Sequence, residues 1–199
     1  MKKTLYLMRH GQTLFNLRKK MQGFSDSQLT ELGIKQAQIA GKYFKDIEID
    51  HAYSSTSERC CDTLELVTNN RMPYIRLKGL KEMNFGLFEG ESEDLVPKNP
   101  EVYDNFFLDY QGESANQVKE RVVKTCTEIM EREDHNVVLA VSHGISCFTF
   151  LSNWQDVEEI RKKGIPNCCI FKYEYEDKKF ELVDIISHDF SKLQEVADL

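Results

Sequence analysis

Apolar positions recur along this chain in two rhythms that alternate from one end to the other. Short, nearly continuous runs at 5–8, 49–54, 74–77 and 136–142 read as strands, the last most clearly because Val137-Val138-Leu139-Ala140-Val141 is β-branched or apolar throughout. Runs of that kind suit the middle of a parallel sheet covered on both faces. Between them lie stretches with apolar residues three or four apart, which read as helices: 29–44 with Thr30 as a cap, 57–70, 114–132 with Val118, Val122, Cys126 and Ile129 on one side, and 145–151. Two final runs, 168–174 and 180–186, flank Glu176-Asp177-Lys178-Lys179 and read as an antiparallel hairpin. The alternation predicts an α/β fold, a three-layer domain with a mostly parallel mixed sheet flanked by helices and ended by that hairpin. One stretch, 88–113, breaks the rhythm: it is acidic, holds Pro97 and Pro100, and carries Tyr103, Phe106, Phe107 and Tyr110 at spacings that suit one helical face. We expect it to be a short lid-like insertion whose aromatics serve packing, within a single domain spanning 1–199.

Composition narrows the partners. With 199 residues, 41% hydrophobic, 30% charged and a net charge of -7, the chain has the make-up of a globular protein and lacks the basic excess on which nucleic-acid binding relies. A small anionic substrate stays open, because a few arginines in a cleft reverse the local potential. The basic run Arg18-Lys19-Lys20 reads as a solvated face. No apolar run approaches the roughly 18 residues of a spanning helix, and Met1-Lys2-Lys3 leads straight into a strand, so the expectation is a cytoplasmic protein without membrane association, monomeric or homodimeric. The six cysteines, two pairs of them adjacent, lack metal or redox spacing and are expected as buried thiols. His51, His135 and His188 read as surface or capping residues, and Trp154 as packing.

Candidate chemistry sits where the strands stop. The first ends in Arg9-His10-Gly11 and the central one in Ser142-His143-Gly144, so two parallel strands would bring two histidines to one crevice at their carboxyl ends. Arg9 offers a planar fork of donors, and Arg59 near a helix N-terminus adds a second cation where backbone N–H groups favour anions. Phosphoryl transfer needs such a set: a nucleophile, cations on the equatorial oxygens and an acid for the departing oxygen. Glu82 and Glu89 both qualify as that acid on spacing alone.

Taken together, Leu7-Met8-Arg9-His10-Gly11 with Asn16, Gln22-Gly23, Leu29-Thr30 with Gly33, Ser54-Ser55 with Arg59 and Thr63, Glu82 with Phe85-Gly86 and Glu89-Gly90, Gly112-Glu113-Ser114 and Ser142-His143-Gly144 resemble the histidine phosphatase superfamily in its phosphoglycerate mutase-like branch. The resemblance runs in order over about the first 150 residues and implies that fold, with neither metal nor organic cofactor. It implies that His10 becomes phosphohistidine, that Arg9, Arg59 and His143 form the phosphate pocket, and that Glu82 is the proton donor. Asn16, Gln22, Gly23 and Gly144 are implied to border the substrate. Mutases of this branch carry Arg-His directly after the acid and a longer basic insertion, whereas this chain has Met83-Asn84 and an insertion bearing Glu91, Glu93, Asp94, Glu101, Asp104 and Asp109. That departure favours a phosphomonoester hydrolase for a small phosphorylated metabolite over a mutase or a catalytically weak phospho-ligand-binding protein. The acidic insertion is expected to repel bisphosphates.

Overall fold

The computed structural model describes residues 2–194. Its strands are β1 (Lys3–Arg9), β2 (His51–Ser55), β3 (Ile75–Leu77), β4 (Val137–Ser142), β5 (Ile170–Glu176) and β6 (Lys179–Ile186). They form one sheet in the order β3-β2-β4-β1-β5-β6. The first four are mutually parallel, while β5 runs antiparallel to β1 and β6 antiparallel to β5. This is the expected mixed sheet with its hairpin, which turns at Asp177 and Lys178, both with positive φ.

Helices cover both faces: α1 (Leu14–Leu17), α2 (Glu31–Tyr43), α3 (Glu58–Thr68), α4 (Pro100–Phe106), α5 (Ala115–Met130), α6 (Gly144–Ser152), α7 (Glu158–Lys163) and α8 (Ser191–Gln194). The period of two in β1 sorts its side chains between two cores, Leu5 and Leu7 into the one built with α5 and α6, Tyr6 and Met8 into the one built with α2 and α3. Central strands buried on both faces explain the unbroken apolar runs. Thr30 caps α2 through Gly33 N, and Ser114 caps α5 in a reciprocal box with Gln117. All six cysteines are free and buried. Among the described residues no helix is long and apolar enough to cross a membrane.

The short α1 and α7 carry no amphipathic period and were not foreseen. In the insertion, α4 gives way to a 3₁₀ turn over Phe107–Tyr110, so its aromatics do not lie along one continuous α-helical face. They pack edge to face instead: Tyr103 on Phe107 at 5.3 Å, Phe106 on Phe107 at 5.2 Å and Phe88 on Tyr110 at 4.8 Å.

The parallel register pairs Arg9 with Ser142, so the next residue of each strand, His10 and His143, emerges side by side beyond the sheet. Anchoring of α5, which flanks the inserted segment, is open to measurement. Ser114→Ala removes the hydroxyl bonded to Gln117 N and should lower unfolding free energy by about 1 kcal/mol in urea denaturation, with an unchanged m value.

Candidate active site

Beyond the carboxyl ends of β1 and β4 opens a cavity of about 750 Å³. Arg9, His10, Asn16, Gln22, Glu82 and Gly144 line it. His10 Nδ1 lies 2.7 Å from the Gly11 carbonyl, which accepts its proton and leaves Nε2 with a lone pair. The turn that permits this contact needs glycine: a Cβ at Gly11 would fall 2.6 Å from the Gly33 carbonyl oxygen. Burial, then Arg59 and Arg9, hold the His10 pKa well below its ordinary value, so the ring is neutral.

Behind His10 lies Arg59, 1% exposed, at the start of α3. Its Nε–H points at His10 Nε2 at 3.3 Å. Nη1 donates to the Ser25 carbonyl at 2.9 Å and to Asp26 Oδ1 at 2.8 Å, and Nη2 to the Gly23 carbonyl and His143 Nδ1, each at 2.9 Å. Every N–H of the guanidinium therefore has an acceptor. His143 is fully buried, its Nε2 donating to Ser55 Oγ at 2.8 Å, and burial with Arg59 pushes its pKa well down too. Arg59 and His143 are thus brought against His10, and Gly23 against Arg59, without lining the cavity themselves.

The two candidate acids separate cleanly. Glu89 accepts from the backbone N–H of Gly23, Phe24, Ser25 and Phe85 and from Ser25 Oγ, so it folds the 22–25 turn and is spent doing so. Glu82 caps α6 from outside: Oε1 accepts from Met83 N, Ser146 N and Ser146 Oγ, while Oε2 accepts from Ile145 N alone, at 2.9 Å. Oε2 therefore keeps a lone pair that can carry a proton. Arg9 donates to the Ile165 carbonyl through Nη1, and its buried Nε has no partner among the described residues.

The superfamily profile described as histidine phosphatase superfamily (branch 1) matches residues 5–187. The chain belongs to that superfamily. A protein of Proteus mirabilis (strain HI4320) named probable phosphoglycerate mutase GpmB is 30% identical over 183 residues, 87% of this chain and 85% of that protein. The uncharacterized phosphatase PhoE of Bacillus subtilis (strain 168) is 26% identical over 182 residues, covering 89% and 91%. The solved structure of Bacillus stearothermophilus YhfR superposes with a TM-score of 0.79 at 29% identity, over 90% of this chain and 95% of that one. Membership in the superfamily makes this chain an enzyme of the phosphatase type within a phosphoglycerate mutase-like fold.

The cavity of this histidine phosphatase differs from the sequence picture in its charge. Of the six insertion acids only Glu93 and Asp104 line it, and Asp104 faces Arg161 at 3.7 Å. Lys20, Lys98, Lys119 and Arg161 reach its walls from four separate segments, so repulsion of anions by the insertion is not what the wall offers. Lys20 belongs to the run read as solvated. Asp26 and Asn167, whose Nδ2 donates to the His10 carbonyl at 3.1 Å, were not picked out from sequence, and Ser55 was named there only within the resemblance, with no role. Only the Asp26 spacing after Gln22-Gly23 could have hinted at its place. Among the described residues no cluster of three metal-ligating side chains lies in this site.

The neutral histidines give a pH signature. Their pKa values are depressed in the fold, so the unfolded chain takes up protons first as pH drops below about 6.5. Stability should be level above pH 7 and fall below 6.5 by up to roughly 1.4 kcal/mol per pH unit for each histidine. His10→Gln should remove one share of that slope in urea unfolding between pH 7.5 and 5; an unchanged slope would contradict the assignment.

Proposed function

We propose that this enzyme hydrolyses the phosphomonoester of a small metabolite in two in-line steps through a phosphohistidine on His10. The observation that carries the reading is the His10 Nε2 lone pair, fixed by the Nδ1 contact to the Gly11 carbonyl, in the cavity that Arg9 and Glu82 also line. In the first step Nε2 attacks phosphorus, the P–O bond to the alcohol breaks, and Glu82 Oε2 gives its proton to the departing oxygen. The guanidinium of Arg9 stabilises the equatorial oxygens as charge develops, and the Nε–H of Arg59, which otherwise donates to His10 Nε2, passes to the phosphoryl group as that nitrogen bonds phosphorus. In the second step water attacks phosphorus, its proton passes to Glu82, the P–N bond breaks, and inorganic phosphate leaves with His10 neutral again. Arg59 keeps its Nη donors on the 23–26 turn and His143, so His143 acts by fixing the guanidinium. Asn16, Gln22 and Gly144 border the ester, and Gly23 binds Arg59 through its carbonyl.

Neither residue after Glu82 supplies a cation to retain a phosphorylated intermediate: Met83 is fully buried, and Asn84 bonds back to the insertion through Glu113 and Gln111. That favours hydrolysis. The mutase reading draws on the four cations of the cavity wall and on the naming of the Proteus relative.

Leaving-group chemistry tests the assignment. Nitrophenolate departs without protonation, whereas an alkoxide needs it. Glu82→Gln should therefore keep a stoichiometric burst of nitrophenolate from p-nitrophenyl phosphate, followed by turnover slowed about 10²–10⁴-fold, and lose the burst with an alkyl phosphate. His10→Ala should lose both. Bursts of equal size with both esters would remove Glu82 from the role, and primer-stimulated interconversion of 2- and 3-phosphoglycerate without phosphate release would establish the mutase instead.

A further inference from the structure

Three residues that the catalytic reading leaves unused converge at the other end of the sheet. His51 opens β2, and Asp134-His135 closes the turn between α5 and β4. Because β2 and β4 are parallel neighbours with His51 opposite Val138, both ends of the cluster are fixed by the sheet register. His10 and His143 lie beyond the opposite ends of strands five to seven residues long, on the order of 20 Å away.

We infer that His51, Asp134 and His135 form a binding site for one divalent transition-metal ion of the zinc type, separate from the phosphate cavity. The donor atoms of the three side chains lie within 4.8 Å of one another. The two oxygens of one carboxylate reach both rings: Asp134 Oδ2 is 3.1 Å from His51 Nε2, and Asp134 Oδ1 is 2.7 Å from His135 Nδ1. Two imidazoles and a carboxylate suit zinc, nickel or copper(II), and water completes the coordination.

The surroundings of His135 are those of a supported ligand. Its ring is 2% exposed, and the remaining nitrogen, Nε2, lies 2.6 Å from Tyr53 Oη. When Nδ1 takes the metal, the ring proton sits on Nε2 and donates to that hydroxyl, which fixes the tautomer and the ring plane as outer-shell partners of metal-bound histidines do. Nor does the turn need Asp134 as a backbone anchor, because Asp50 Oδ2 already accepts from the N–H groups of Asn136 and Val137.

The rings of His51 and His135 stack at 3.7 Å and 10°. An ion in the plane of both rings requires that stack to open. His135 is held by Tyr53, so the movement falls to His51, whose side chain is 34% exposed. Arg132, whose guanidinium lies 5.9 Å from the Tyr53 ring, is the cation that the ion has to tolerate, and Asp134 offsets it. Binding would clasp the start of β2 to the α5–β4 turn.

The test uses tag-free protein in reductant, titrated with zinc by calorimetry and by thermal unfolding. The expected result is one saturable equivalent and a rise in Tm that follows occupancy. His51→Ala and Asp134→Asn, both at exposed or half-exposed positions, should each weaken zinc uptake at least about tenfold and abolish the Tm rise, with His10→Ala unaffected. Absence of saturable uptake would overturn the inference, and so would uptake of equal affinity in His51→Ala and Asp134→Asn. Phosphate release does not enter either readout, so the outcome is independent of the proposed hydrolysis.

Discussion

A guanidinium buried at the floor of the crevice organises this active site. Removing a charge from water is costly unless every hydrogen of it finds an acceptor, and Arg59 meets that condition with partners from three parts of the chain. The 22–26 turn gives it two carbonyls and the Asp26 carboxylate, β4 gives it His143, and β1 gives it His10. Whatever holds that turn in place therefore holds the nucleophile as well. Glu89 does so with four hydrogen bonds to the turn and a fifth to Phe85 N, and Gly23 leaves no room for a side chain, since a Cβ there would collide with the Met83 carbonyl and the Glu89 carboxylate. Removing one partner would strand charge in the interior, which is why these positions act as a unit.

The same economy applies to the acid. Glu82 ends α6 in place of a side-chain cap, since His143 at the cap position makes no such bond. A helix terminus thus fixes the carboxylate at the cavity wall while leaving one oxygen lightly engaged. Around it the insertion contributes packed aromatics and Lys98, and Lys20, Lys119 and Arg161 from elsewhere in the sequence complete the charge of the wall.

Much of this was legible in the residues. The unbroken apolar runs at β1 and β4 follow directly from strands buried on both faces, and the paired strand-histidine-glycine endings foretold their juxtaposition because parallel neighbours end at the same edge. The helix cap Thr30 was readable for the same local reason, whereas the capping role of Ser114 emerged only in the structure. What escaped was set by long-range contact. Spacing gave no way to know that Glu89 would be spent on the 22–25 turn and Glu82 left at the cavity. Nor could Lys20 be told from Arg18 and Lys19, which stay exposed while it reaches the wall. His135 read as a surface or capping residue, yet it is buried against Tyr53, 82 positions away.

The central claim is that phosphorus changes partners twice, first to nitrogen and then to water. Each in-line displacement inverts the configuration at phosphorus, so two restore it. Hydrolysis of a phosphorothioate monoester, made chiral at phosphorus with sulfur and two oxygen isotopes and carried out in water of the third isotope, reads that count directly. Retention of configuration is the result the account predicts; inversion would mean that water attacks the ester in a single step and that His10 is never phosphorylated.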